Sequence, residues 1–101
     1  MSEENKLLLS LVMQDTMNHF DKVKMVINGE EIIRPITLRV MEDDFIKVYA
    51  EIEDEPAGIV ERAVLLDKYD RALHVKEVNF DKGTDGWHVA FKFNLKITEG
   101  E

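Results

Sequence analysis

The chain has 101 residues, 45% of them apolar, no cysteine, and a formal net charge of −8 from 21 acidic against 13 basic side chains. That length and apolar content describe one folded domain around a single core and exclude a disordered chain. The missing cysteine excludes disulfides and thiolate metal sites. The acidic balance argues against nucleic-acid or membrane partners and leaves a basic protein partner open.

Met1-Ser2-Glu3-Glu4-Asn5-Lys6 opens with acid where a secretory signal carries base. The apolar run from Leu7 to Met13 is broken by Ser10 and is too short to span a membrane. The expectation is a protein with no cleaved secretion signal, folded in the cytoplasm.

Leu7 to Phe20 admits two readings. As a helix it places Leu9, Met13, Met17 and Phe20 on one face. As a strand it alternates Leu7, Leu9, Leu11 and Met13 with Leu8, Ser10, Val12 and Gln14. The leucines and methionines favour the helix, and Asp15 offers a cap for a shorter one starting at Thr16. A helical segment over about residues 5–21 is expected, followed by β structure over about 22–98.

Val23, Met25 and Ile27 alternate with Lys22, Lys24 and Val26, and Asn28-Gly29 follows as a hairpin turn. The returning segment carries Ile32 and Ile33, then Pro35 at an edge or bend. Ile36, Leu38 and Val40 then suggest another half-buried strand. After the polar turn Glu42-Asp43-Asp44, the residues Ile46, Val48, Ala50 and Ile52 define an inner face. Opposite them stand Phe45, Lys47, Tyr49 and Glu51.

A loop at Glu53-Asp54-Glu55-Pro56-Ala57-Gly58 leads to Ile59–Leu66, apolar on both parities like a strand covered on both sides. Asp67 to Arg71 reverses the chain. Parity then switches between Val75 and Val78, which predicts a β-bulge near Lys76-Glu77.

The clearest pattern comes last. From Trp87 to Ile97 every odd residue is apolar, so Trp87, Val89, Phe91, Phe93, Leu95 and Ile97 share one strand face. Pairing Val78 with Val89 and Phe80 with Trp87 would make a hairpin with one apolar face. Roughly six or seven strands separated by turns predict a mainly β, antiparallel sandwich or small barrel with an N-terminal helix, in one domain.

Chemistry is sparse. There is no phosphate-binding glycine loop, and Ser2 and Ser10 stand in no nucleophile-like context. In the hairpin register His74 falls near Phe93 or Lys92 and His88 near Asn79, too far apart to share a metal. Asp81-x-Gly83-x-Asp85-Gly86 departs from a calcium loop at Gly83 and Lys92 and reads as a turn. No cofactor is expected.

Phe45 and Tyr49 occupy a strand face that should be wet, so either the N-terminal helix covers them or they contact another chain. Tyr69, Leu7 and Leu11 are further candidate contact residues. The acidic runs Glu42, Asp43, Asp44 and Glu51, Glu53, Asp54, Glu55 read as solvated loops or as an acidic contact surface.

Leu65-Leu66-Asp67-Lys68-Tyr69-Asp70-Arg71-Ala72-Leu73, followed by Gly86-Trp87-His88-Val89-Ala90-Phe91-Lys92-Phe93, resembles small tail or baseplate proteins of phages and prophages of Gram-positive bacteria. In those proteins a leucine-leucine-aspartate hairpin precedes a loop and an amphipathic strand. The resemblance covers the C-terminal half. It implies a non-enzymatic, self-associating accessory component, virion-associated, with other structural proteins as possible partners and no catalytic residues. An alternative is a small acidic inhibitor that fills a basic groove on a host protein. A third reading is a carbohydrate-binding module using Tyr49 and Trp87.

Overall fold

In the computed structural model, which describes residues 2–100, the fold begins with a helix cap. The Ser2 Oγ accepts the Asn5 N–H at 3.1 Å and opens α1, Glu3–His19. Glu3 and Glu4 in its first turn and His19 in its last complement the helix dipole. The cap is thus Ser2 and not Asp15. The helical reading of Leu7–Phe20 holds as far as His19, with Leu9 and Met13 buried on the helix and Phe20, the extended cap residue after it, buried as well.

Six strands follow: β1 (Lys22–Ile27), β2 (Glu30–Met41), β3 (Phe45–Ile52), β4 (Gly58–Leu66), β5 (Ala72–Gly83) and β6 (Trp87–Asn94). They pair antiparallel in the order β5-β4-β1-β2-β3-β6 and curl into a nearly closed barrel. The expected mainly β class with an N-terminal helix is the one observed. The molecule is elongated, about 49 × 24 × 22 Å.

Strand β2 holds the curl together. Its first half, Glu30–Pro35, pairs with β1, and its second half, from Ile36, pairs with β3. Pro35 marks the changeover, as its missing N–H leads one to expect. Thr37 is bulged, because Ile36 faces Ala50 whereas Leu38 faces Tyr49. One extra residue inverts the faces downstream. The shared face expected for Ile36, Leu38 and Val40 is therefore corrected: Leu38 and Val40 turn outward with Tyr49 and Lys47. Arg39 turns to the helix, where its guanidinium donates to the Met17 carbonyl at 3.2 Å.

The hairpin expected between β5 and β6 does not form. β5 pairs with β4, and β6 pairs with β3 through Ile46–Phe93, Val48–Phe91, Ala50–Val89 and Ile52–Trp87. Both arrangements satisfy the two-residue periodicity, which assigns a face but no partner. Phe80, expected indoors beside Trp87, is 50% exposed.

The two strands instead flank the barrel's seam. His74 of β5 lies edge-on to Phe91 and Phe93 at 6.0 and 5.2 Å, and Lys76 Nζ donates to the Ala90 carbonyl at 2.9 Å. The bulge in β5 falls slightly later than expected. Glu77 faces Arg62 and Phe80 faces Val60, which places the irregularity at Val78-Asn79, with Asn79 at φ 52°.

Inward side chains fill the barrel: Val23, Met25 and Ile27 from β1, Ile46, Val48, Ala50 and Ile52 from β3, Val60, Ala63 and Leu65 from β4, and Val89 and Phe91 from β6. β4 lies between β5 and β1, and its second half, Ala63 to Leu66, is buried on both faces as its sequence implies, whereas Ile59 in its first half is 48% exposed. On the outward side Val64 lies between Lys24 and Val75, and Leu66 between Lys22 and Ala72, so neighbouring rungs shield them.

α1 closes the barrel end at which β2, β4 and β6 finish. Lys6, Ser10 and Met13 face the β2–β3 turn, and Asp15, Asn18 and His19 face the β4–β5 turn. Phe20 packs against Phe93, ring centres 5.5 Å apart and planes tilted by 44°.

The opposite end is laced by hydrogen bonds. Asn28 and Gly29, at φ 52° and 80°, make the expected two-residue turn. The Asn28 Oδ1 accepts the Ile59 N–H at 3.0 Å, and Glu61 accepts the Gly29 N–H at 2.5 Å.

Candidate functional site

Two surfaces stand out once the core is accounted for. The first is the outward face of α1. A helix whose inner row is Leu9, Met13 and Met17 must carry Leu7, Leu8, Leu11 and Val12 on the other side. They are 61%, 50%, 53% and 44% exposed. Four adjoining aliphatic side chains on one helix face make a contiguous patch, unlike a lone exposed leucine. Glu4 precedes this patch by one turn and Asp15 follows it by one turn, so the patch is apolar with an acid at each end. Leu7 and Leu11 belong to it as expected. Leu8 and Val12 complete it, and the helical reading alone suffices to find them.

The second surface is the outward face of β2, β3 and β6. Leu38, Tyr49 and Ala90 form one rung, and Val40, Lys47 and Lys92 form the next. The helix does not cover Phe45 and Tyr49. Both are half-buried under lysines, with Lys92 Nζ 4.5 Å from the Phe45 ring and Lys47 Nζ 5.0 Å from the Tyr49 ring. Lys47 and Lys92 face each other directly, a like-charge pair that destabilises an isolated sheet. Among the described residues neither makes an ion pair. In a chain of charge −8 this is a small basic, aromatic island.

The remaining candidates are dispersed. Glu42, Asp43 and Asp44 lie at the helix end of β3, while Glu53, Asp54 and Glu55 lie beyond its far end, with Glu51 near that end. Glu53 pairs with Arg34 at 3.1 Å, and its own backbone N–H and that guanidinium hold its carboxyl below the ordinary range. The two acidic runs therefore do not form one surface. Trp87 faces inward opposite Ile52 while Tyr49 faces outward, so they do not share a sugar-stacking face. Tyr69 is 67% exposed at the β4–β5 turn, with Lys68 and Arg71 against its ring.

That turn is organised by Asp67. Its Oδ1 accepts the Tyr69 and Arg71 N–H groups, both at 2.9 Å, and its Oδ2 accepts the Arg71 guanidinium at 2.6 Å. Burial pushes the carboxyl pKa up, but the Arg71 and Tyr69 donors outweigh it, and the net direction is down. A depressed carboxyl stabilises the fold above its unfolded pKa, about 3.9, and that contribution is lost as pH falls through the lower folded value. Asp67→Asn is expected to lower the urea midpoint at pH 7. The gap to the native protein should shrink as the pH is taken below about 3.9; a gap constant between pH 7 and pH 3 contradicts the assignment.

The loop that departs from a calcium motif holds a lysine. Lys82, 3% exposed, donates to the Asp54 carbonyl at 2.8 Å and the Asp85 carbonyl at 2.6 Å, joining the β3–β4 and β5–β6 connections. Lys82→Met removes both bonds and should cost about 2 kcal/mol in a denaturant titration.

His88 lies opposite Glu51 and His74 lies at the seam, on different strands. Among the described residues no group of three or more His, Asp or Glu side chains converges on a metal position, and no helix is long and apolar enough to cross a membrane. Comparison with family models, with curated proteins and with solved structures returned no match.

Proposed function

We propose that this protein is a non-enzymatic, self-associating structural component of the kind used in phage-type tail or baseplate assemblies. The observation that carries the reading is the outward face of α1. Leu7, Leu8, Leu11 and Val12 stand in water although the same helix buries Leu9 and Met13 against the barrel. Burying each exposed leucine is worth about 1.5–3 kcal/mol when complete, and these are roughly half available, so the patch is strong enough to hold a contact. The phage-type assignment rests on the resemblance of the C-terminal half, and the helix face gives such an assembly a surface on which to build.

Light scattering over a wide concentration range tests the reading, with an apparent mass that rises above the monomer as the expected result. Leu8→Glu with Leu11→Glu should weaken association roughly 100-fold or more while the melting temperature stays close to that of the native chain, because both side chains already face water. A native chain that stays monomeric at millimolar concentration removes the proposal.

A further inference from the structure

We infer that copies of this chain associate head to tail, the outward face of α1 on one copy seating on the lysine-bearing outer face of β2, β3 and β6 on the next. The inference rests on the self-association reading and adds the identity of the receiving surface.

Charge complementarity selects this partner. The helix patch is aliphatic with Glu4 one turn before it and Asp15 one turn after it. Asp15 borders the pocket that Lys68 and Arg71 also line, and its one ion pair among the described residues is with His19, at 3.7 Å. The sheet patch is apolar and aromatic around two lysines that repel each other and meet no carboxylate among the described residues. The sheet patch lacks the carboxylates that the helix patch carries at its ends. A carboxylate brought to Lys47 and Lys92 relieves their repulsion, while Leu38 and Tyr49 offer apolar area to Leu7, Leu8, Leu11 and Val12.

Dimensions fix how the contact is made: the facing lysines are about 5 Å apart between Cα atoms, so one of the two acids, not both at once, meets the pair. At 1.5 Å per residue Glu4 and Asp15 are about 16 Å apart along the helix. Along β3 the stretch from Phe45 to Tyr49 runs about 13 Å at 3.3 Å per residue, with three strands spanning about 10 Å across.

The obvious rival is a two-fold helix-to-helix dimer. An antiparallel pair centred on the leucines sets Glu4 of one copy against Asp15 of the other, acid on acid, which opposes that geometry. The two surfaces proposed here lie on different sides of the molecule, one on the barrel end and one on its wall. The contact is therefore heterologous and propagates into a ring or a filament.

Charge exchange tests this. Lys47→Glu with Lys92→Glu makes both surfaces acidic, and Glu4→Lys with Asp15→Lys makes both basic. By sedimentation velocity each double variant alone should lose self-association at least 10-fold. An equimolar mixture should regain it, because each helix then finds an oppositely charged sheet. All four side chains are solvent-facing, and circular dichroism confirms that each variant is folded.

If the helix variant unfolds, the lysine variant decides by itself. Undiminished self-association of Lys47→Glu with Lys92→Glu overturns the head-to-tail contact and leaves self-association intact. Loss in each variant without recovery on mixing also overturns it. A native chain that never associates defeats the underlying reading instead.

Discussion

Gly58→Ala is expected to destabilise the fold by about 3 kcal/mol, far beyond an ordinary glycine-to-alanine change. Gly58 opens β4 at φ 127°, where a side chain is strained by about 1–3 kcal/mol. Space is the second obstacle. A Cβ at this position would lie 2.6 Å from the Asn28 Cγ and 2.7 Å from its Oδ1, with Nδ2 closer still.

Asn28 is poorly placed to yield. Its backbone N–H donates to the Ile59 carbonyl at 3.0 Å, its Oδ1 accepts the Ile59 N–H, and its Nδ2 reaches the Ala57 carbonyl at 3.5 Å. Moving the amide aside sacrifices side-chain bonds worth about 1 kcal/mol each and loosens the β1–β2 turn from the start of β4. Urea denaturation measures the effect. Asn28→Ala in the same background separates the causes: with the amide gone the clash disappears and the strain remains, so the double variant should cost less than the sum of the singles. A Gly58→Ala protein within about 0.5 kcal/mol of the native one would show that the turn relaxes freely.

Faces were more legible in the sequence than neighbours. The inward rows Val23-Met25-Ile27, Ile46-Val48-Ala50-Ile52 and Trp87-Val89-Phe91-Phe93 are local alternations, and a strand has no other way to satisfy them. The helix is legible for a similar reason, since Leu9, Met13 and Met17 fit a helical period. Its cap is less so, because Ser2 lies outside the apolar pattern. Partner choice depends on contacts distant in sequence. Val89 fits Val78 as well as it fits Ala50, and the geometry of a closing barrel selects Ala50.

The same limit governs the candidate site. Leu7 and Leu11 can be named from the helix pattern, and Phe45 and Tyr49 from their unexpected parity. Lys47 sits between those two rings and could have been read with them. Lys92 could not, because it reaches that face only through the β3–β6 pairing. Leu38 was hidden by the bulge at Thr37, a change of one residue that no composition signal marks.

Phe91→Ala is expected to cost about 3–5 kcal/mol, the largest single effect in the β domain. Phe91 is 2% exposed and lies opposite Val48 at the heart of the β3–β6 pairing. It also lies where the sheet fails to close. His74 meets its ring edge-on and Lys76 Nζ approaches its face at 6.0 Å, so this one side chain fills the core and joins the two free edges of the barrel.

An alanine there leaves a cavity in the barrel interior at the seam and removes the ring against which His74 and Lys76 of β5 rest. Local and global effects should therefore separate. Amide hydrogen exchange ought to quicken in β5 and β6 more than in β1 and β2, whose own pairing with each other is untouched. Phe93→Ala makes the control: it removes the closer His74 contact, at 5.2 Å, from a half-buried position, so the seam should loosen at a smaller global cost. Uniform acceleration of exchange in all six strands by Phe91→Ala would mean that the barrel unfolds as one unit and that the seam has no independent motion.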